Sequence, residues 1–314
     1  MANTSNKTVS IIVVTCGIGG YLNDCLESLK GQTHPYLEII VIDNSCDSHF
    51  NLQMPKAHPD VRFYISPVNL FYCESLNKGI NLSKGDFVLC LNDDVILDKK
   101  FIEEALSGFL FDSKIGMVSG KVLRRDRKTI DSTGLFLSPW RTAKERGYNR
   151  IDKGKFNTKE YVFGVTGAVG FYRRQMLEEI KEDNDYFDSD FCFFYEDLDL
   201  AWRAQRAGWR CYYVPSAIAY HVRGGSARSV SGLGKPYARR YINDELQAHL
   251  IKNRYLTIIK NESLPGILLH APFIFVYDLI SWIYIFIFRP RQIKTFLLNI
   301  KYLKSALKKR QKFS

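Results

Sequence analysis

Apolar residues in the first half of the chain fall in short, nearly continuous runs. Residues 9–14, 37–42, 61–65 and 87–91 are rich in Val, Ile, Leu and Phe, as expected for strands buried on both faces. Between them the spacing changes to a helical one. Tyr21, Leu22, Cys25, Leu26 and Leu29 share one helix face, which Gly31 closes, and Phe101, Ile102, Ala105, Leu106 and Phe109 share another within 99–111. A third helical stretch follows Asn69 and contains Asn77, Lys78 and Gly79. Strands alternating with helices predict an α/β domain built on a mostly parallel sheet. A strand over 115–123 follows, and then the pattern loosens from 124 to 159 into a charged segment long enough to be a functional loop or an excursion. Order returns at 161–165. A helix is expected over 197–207 with Gly208 as its stop, then short strands at 210–214 and 217–220, and a Gly- and Ser-rich stretch at 224–234 suited to a lid.

Several of these strands end on polar residues. The run Phe87 to Leu91 leads into Asn92-Asp93-Asp94, and the run at 37–42 ends on Asp43. Each acid taken singly is also a common turn residue. In an open α/β sheet, however, ligands bind beyond the carboxyl ends of the strands. Hard carboxylate oxygens there suit Mg²⁺ or Mn²⁺ bridging a diphosphate. Glu196 and Asp197 sit at the expected start of a helix, where the dipole keeps a carboxylate ionised, as a general base requires, although acids also cap helices. The small residues Gly167-Ala168 would let a ligand approach the backbone closely. The loop after the first strand, Gly17-x-Gly19-Gly20, lacks the third glycine of a dinucleotide fingerprint, since Leu22 stands there.

Charge and cysteine content narrow the setting. Of the net charge of +11, nine basic residues lie between Arg289 and Lys312, a stretch without an acid, so the body of the chain is nearly neutral. A nearly neutral body argues against nucleic acid as a partner, and a basic tail after an apolar segment points to a membrane surface. The seven cysteines are scattered, with no Cys-x-x-Cys pair. That favours reduced thiols in a cytosolic setting over a disulfide framework or zinc site. The polar start, 1–10, carries no recognisable signal peptide.

Taken in order, Thr15 and Asp43 at strand ends, Asn69 with Asn77-x-Gly79, Asn92-Asp93-Asp94, Gly167-Ala168, and Phe187-Asp188 followed by Glu196-Asp197-Leu198-Asp199-Leu200, Arg203 and Gly208 resemble the family 2 glycosyltransferases of the GT-A fold. The likeness is to the bacterial rhamnosyltransferase-like branch and covers about residues 8–256. It implies a Rossmann-like, mostly parallel sheet flanked by helices. It also implies an inverting, metal-dependent transferase that moves a sugar from a nucleoside-diphosphate sugar, dTDP-rhamnose or a UDP-sugar, to a glycan or lipid-linked oligosaccharide in cell-surface polysaccharide synthesis. By the same resemblance Thr15 and Asp43 line the base and ribose, and Asp93 lies near ribose or diphosphate. Asn69, Asn77, Gly167 and Ala168 belong to the donor site. Asp94 is the metal ligand, joined in some relatives by a histidine placed as His221 is. Asp197 is the catalytic base and Glu196 supports it or contacts the acceptor. Four departures stand out: Gly17 occupies a site that is often Asn, Asn92 replaces an acid, and Phe71 and Ser75 replace glycines. They leave open a catalytically impaired nucleotide-sugar binder tethered to the membrane, or a transferase using a lipid-phosphate sugar. A nucleotidyltransferase would need an arginine in the loop 15–20, which has none.

The expected division is a catalytic domain at 1–256 and a membrane-associating segment at 257–314. Residues 264–288 are long enough to cross a bilayer, but Pro265, His270, Pro272 and Asp278 favour re-entrant or interfacial burial as an alternative. Ile293, Phe296, Leu297, Ile300, Leu303 and Leu307 form an apolar stripe on a cationic helix, the pattern of a helix lying on anionic lipid. This places the protein on the cytoplasmic face of the cell membrane, peripheral or monotopic. The alternative is a helical hairpin packed on the catalytic domain or on the partner of a homodimer.

Overall fold

In the computed structural model, which describes residues 6–17, 20–223 and 244–311, β1 (Val9–Thr15) is buried along its whole length. It pairs in parallel with β2 (Leu37–Asp43) on one side and β4 (Phe87–Asn92) on the other, and β3 (Arg62–Ile65) extends the sheet beyond β2. The order β3-β2-β1-β4 reverses between β1 and β4, which opens a crevice at the carboxyl ends of those two strands. Register then sets what stands there. Thr15 pairs with Asp43, and Val14 with Asn92, so the three strands end at one level. The connecting helices are α1 (Leu22–Lys30), α2 (Ser48–Ala57) and α3 (Phe71–Leu82). Gly79 lets α3 lie close on β1, since a Cβ there would stand 2.2 Å from Ile12 Cγ2.

The chain continues through β5 (Val95–Leu97), α4 (Phe101–Gly108) and β6 (Ile115–Arg124). The loosened segment is an excursion with structure of its own: β7 (Ile130–Ser132) pairs with β6, while β8 (Leu135–Leu137) and β9 (Ala143–Glu145) form a separate hairpin. β10 (Glu160–Val162), β11 (Val169–Arg173), α5 (Arg174–Ile180), α6 (Glu196–Arg206) and β12 (Arg210–His221) complete the domain, and the sheet order is β10-β12-β6-β11-β4-β1-β2-β3. The two short strands expected at 210–214 and 217–220 are one strand, β12. Its register against β6 shifts between Val214 and Ile218, where Pro215 has no N–H to give the ladder. Apolar clusters cover both faces of the sheet, one with Leu26, Phe101 and Phe109, the other with Leu76, Phe187 and Leu198. Gly19, the 224–234 stretch expected as a lid, and Lys312 lie outside the described residues.

The C-terminal part is helical throughout its described length: α7 (Asp244–Asn261), α8 (Leu264–Phe288), α9 (Arg291–Leu298) and α10 (Ile300–Gln311). α8 begins with Ser263 Oγ accepting from Gly266 N at 3.0 Å and leaves most of its apolar side chains exposed, Leu268 at 77% and Phe275 at 66%. Its mid-helix acid, Asp278, pairs with Arg254 of α7, and Trp282 Nε1 donates to Tyr255 at 2.9 Å. The cationic helix departs from the expectation of one free face on lipid. It breaks at Asn299, and Lys309 turns inward because Asp188 and Asp190 attract it, while Tyr302 and Leu303 pack against the catalytic core and Ala306 is buried. Leu297, Ile300 and Leu307 remain exposed.

Candidate active site

The end of β1 is tied to the turn after β4 by one short hydrogen bond. Thr15 Oγ1 donates to Asp93 Oδ2 at 2.5 Å, spanning the crevice where the strand order reverses. Burial pushes the Asp93 carboxyl up to about 6, with neighbouring Asp94 adding to the shift and the Thr15 hydroxyl opposing it. Asp43, at the same level on β2, is buried, and its Oδ1 accepts from Ser45 N at 2.8 Å. Thr15, Asp43 and Asp93 thus share one rim.

Two residues of the asparagine pattern separate from that rim. Asn69 Oδ1 accepts from Phe71 N at 2.8 Å and so shapes the turn into α3. Phe71, standing where the family pattern has glycine, has a φ of 56°, the left-handed region that glycine occupies without strain. Asn77 is buried beneath the sheet. Its Oδ1 accepts from Tyr186 N and Phe187 N, and its Nδ2 donates to Phe187 O at 2.7 Å. Its amide is used in holding the chain that leads to α6, which leaves it nothing to offer a donor substrate.

Asp94 is buried, with Oδ1 3.2 Å from His221 Nε2 at the end of β12. The other ring nitrogen, Nδ1, lies 2.8 Å from Asp131 Oδ2, and Asp131 also pairs with Arg223. Burial disfavours the imidazolium, but Asp94 and Asp131 outweigh it and raise His221 to about 9. Asp131 itself is held well below the usual carboxylate range: burial opposes this, and His221 and Arg223 prevail. Among the described residues no three His, Cys, Asp or Glu side chains cluster closely enough to hold a cation unaided. Asp94 with His221 would offer part of a coordination shell only once a cation displaces the proton on His221 Nε2 that Asp94 now accepts. This fits Mg²⁺ or Mn²⁺ completed by substrate phosphate and water, the usual arrangement for Mg²⁺. A cleft of about 470 Å³ opens beside Asp94, bordered by Tyr21, Arg125, Arg127 and Tyr220, with the Arg127 guanidinium 4.7 Å over the Tyr220 ring. Its two arginines suit phosphate oxygens.

Gly167 and Ala168 connect this side of the crevice to the second pair of acids. Ala168 O accepts from Asn92 N at 3.1 Å, and Gly167 N donates to Asp197 Oδ2 at 2.9 Å. Asp197 Oδ1 accepts from Leu198 N at 2.7 Å, in the first turn of α6. Glu196 is buried, and its Oε2 finds no hydrogen-bond partner among the described residues. Burial, then the charge of Asp197, pushes the Glu196 carboxyl up to about 8. Burial raises Asp197 as well, against the N–H groups of Leu198 and Gly167 that favour its charged form. Burial thus favours a proton on Glu196, while the N–H groups of Leu198 and Gly167 favour charge on Asp197.

Three contributors carry no sequence signal of their own. Glu145 sits on the excursion hairpin with Thr166 Oγ1 donating to it at 2.9 Å and Ser132 Oγ donating to its other oxygen, and burial raises its carboxyl to about 7. Asp131 comes from the same loosened segment. Tyr72 OH donates to Gly167 O at 2.7 Å, holding the glycine from below. Only the fold brings these residues to the crevice, and no spacing rule links them to it.

Known proteins share this architecture. The chain is 23% identical over 221 residues to the poly-beta-1,6-N-acetyl-D-glucosamine synthase of Staphylococcus epidermidis, covering 69% of this chain and 50% of that protein. It thus spans about half the length of the curated relatives it matches. Among solved structures it is similar to S. aureus TarS 1-349 in complex with UDP-GlcNAc, with a TM-score of 0.61, 14% identity, and 96% of this chain and 81% of that one covered. It is also similar to the mannosyltransferase PcManGT from Pyrobaculum calidifontis in complex with GDP-Man and Mn2+, with a TM-score of 0.55, 16% identity, and 98% and 78% covered. These likenesses show the GT-A fold. The family described as "Glycosyltransferase like family 2" matches residues 6–243, most of the chain, and the protein belongs to that family.

Proposed function

We propose that this protein is an inverting glycosyltransferase that moves a sugar from a nucleoside-diphosphate sugar to a hydroxyl of a glycan or lipid-linked acceptor. The observation that carries this reading is the placement of the two acids at the start of α6. Asp197 accepts from Gly167 N beside the buried Glu196, whose carboxyl burial and the Asp197 charge raise, and it is joined through Gly167-Ala168 to the strand end that bears Asp93 and Asp94. Asp197 takes the proton of the acceptor hydroxyl as that oxygen forms its bond to the anomeric carbon. The bond from that carbon to the diphosphate breaks, its electron pair leaves with the nucleoside diphosphate, and the configuration inverts. General-base assistance of this kind contributes about 10²- to 10⁴-fold. Asp93 and Thr15 orient the donor's ribose and diphosphate, and Asp43 presents a carboxylate to the base. Asp94 with His221 would hold a divalent cation, which supplies Lewis-acid neutralisation of charge on the diphosphate. A UDP- or dTDP-linked donor fits this rim, because the N3–H of uracil or thymine can donate to Asp43.

The same proposal places the protein at a membrane. The exposed apolar α8 supports attachment through residues after about 256, with the catalytic unit before them. The basic residues from Arg289 onward support the cytoplasmic side. The test is transfer from radiolabelled donors by wild type and Asp197→Asn: sugar transfer by the first that falls at least about 10²-fold in the second supports the reading, and equal rates refute it.

A further inference from the structure

The loop that delivers Glu196 and Asp197 has an unfavourable backbone. Cys192, Phe194 and Tyr195 all lie at positive φ, 64°, 69° and 68°, though none is glycine. Left-handed conformations cost L-residues energy and persist only where the surroundings over-determine them. Tyr72 N and Cys73 N hold the Cys192 carbonyl, each at 3.0 Å, and one side chain meets three more carbonyls of the loop. Asn253, fully buried on α7, donates from Nδ2 to three carbonyls of this loop: Phe191 O at 2.9 Å, Phe193 O at 2.8 Å and Phe194 O at 2.8 Å. Its Oδ1 is buried without a hydrogen-bond partner among the described residues. An amide that leaves its acceptor unpaired is held there for its donor end. The residues around it strengthen the same grip. Lys252 Nζ donates to Asp190 O at 2.5 Å, Ser305 Oγ donates to Asp190 Oδ2 at 2.6 Å, and the Phe193 ring lies 4.8 Å from that of His249. α6 begins directly after Tyr195, with no side chain capping it. The direction in which its first two residues point therefore depends on the turn before it.

We propose that Asn253 is a positioning residue for sugar transfer: by gathering the carbonyls of 191, 193 and 194 it fixes the left-handed turn that aims Glu196 and Asp197 into the crevice. The proposal rests on the reading of Asp197 as the base. It makes α7, and not only the sheet, part of the catalytic apparatus.

The test compares Asn253→Ala with Thr257→Val on the full chain. Thr257 is buried one turn further along α7, where among the described residues its hydroxyl bonds only the Asn253 carbonyl, at 2.8 Å. Asn253→Ala is expected to lower kcat by about tenfold or more relative to Thr257→Val, since a misplacement near 1 Å can cost about 10²-fold. Affinity for the nucleoside diphosphate, measured calorimetrically, stays within about twofold of wild type, because the rim at Thr15, Asp43 and Asp93 is untouched. The acidic limb of kcat also moves to higher pH, because an Asp197 drawn away from Gly167 N loses a donor that favours its charged form. General loss of stability would not move that limb. If the alanine chain does not fold, Asn253→Ser serves, whose one hydroxyl proton cannot replace the two that the amide shares among three carbonyls; it is expected to lose about threefold or more. A kcat equal to that of Thr257→Val, or a fall in kcat matched by an equal fall in nucleotide affinity, overturns the proposal. Asp197→Asn in the same assay separates the two claims: wild-type turnover there refutes the base assignment, whereas loss there with full activity in Asn253→Ala refutes the positioning role alone.

Discussion

Gly167 N donates to Asp197 Oδ2 at 2.9 Å, and a Cβ on Gly167 would stand 2.9 Å from Glu196 Oε1 and 3.4 Å from Asp197 Oδ2. The glycine is thus both a donor to one acid and the space occupied by the other. Gly167→Ala displaces the tip of a flexible side chain, not backbone, so stability should change by less than about 1 kcal/mol. Transfer should fall by about tenfold or more, since the displaced Glu196 lies against Asp197, the proposed base. Urea unfolding together with a kcat measurement checks both. A variant that lost stability and activity in proportion would contradict this account of the glycine.

Glu196 gives a pH-dependent signature. Its carboxyl is raised by burial and by Asp197 to about 8 from an ordinary value of 4.5, so between those two values the folded protein holds a proton that the unfolded chain has released. Stability from this group is present below the unfolded value and is lost as pH rises toward 8. Glu196→Gln, which mimics the protonated carboxyl, should melt increasingly above wild type from pH 5 to pH 8. The gap grows by about 2–4 °C for each pH unit, from about 1.4 kcal/mol per unit. Differential scanning calorimetry at stepped pH reads this directly, and a gap that stayed constant would mean Glu196 is ionised throughout.

Lys260 is the hub of a buried ion network. Its Nζ lies 2.7 Å from Glu182, 2.6 Å from Asp188 and 3.1 Å from Asp199, and Asp199 is bound in turn by Arg203 Nε at 2.9 Å. Lys260→Met leaves buried carboxylates short of a partner, which typically costs about 3–5 kcal/mol. The urea midpoint should fall accordingly. A midpoint unchanged from wild type would show that the network rearranges around Arg203 and Lys309.

Legibility in the sequence followed the range of the interactions. β1, β2 and β4 are readable because strands buried on both faces must be apolar nearly throughout, and the 264–288 helix because its apolar run is long despite Pro265, His270, Pro272 and Asp278. That Thr15, Asp43 and Asp93 share a rim follows from parallel pairing in register, which strand ends alone foreshadow. Asn77 was readable as part of a motif but not as a brace, because its partners at Tyr186 and Phe187 are more than a hundred residues away. Asp131 and Glu145 were illegible for a different reason. They come from a polar excursion with no period, where one acid looks like another until the fold buries it. The inward turn of Lys309 has no signal either, since an amphipathic basic helix reads the same whether lipid or the pair of Asp188 and Asp190 receives it.

Calorimetric titration of UDP, dTDP and GDP, each with and without Mn²⁺, into wild type and Asp94→Ala tests the central claim most directly. The account predicts that UDP or dTDP binds wild type, that Mn²⁺ tightens binding by about tenfold or more, equivalent to about 1.4 kcal/mol, and that Asp94→Ala removes the dependence on metal. Absence of binding by every nucleotide under every condition, or metal-dependent binding undiminished in Asp94→Ala, would contradict it.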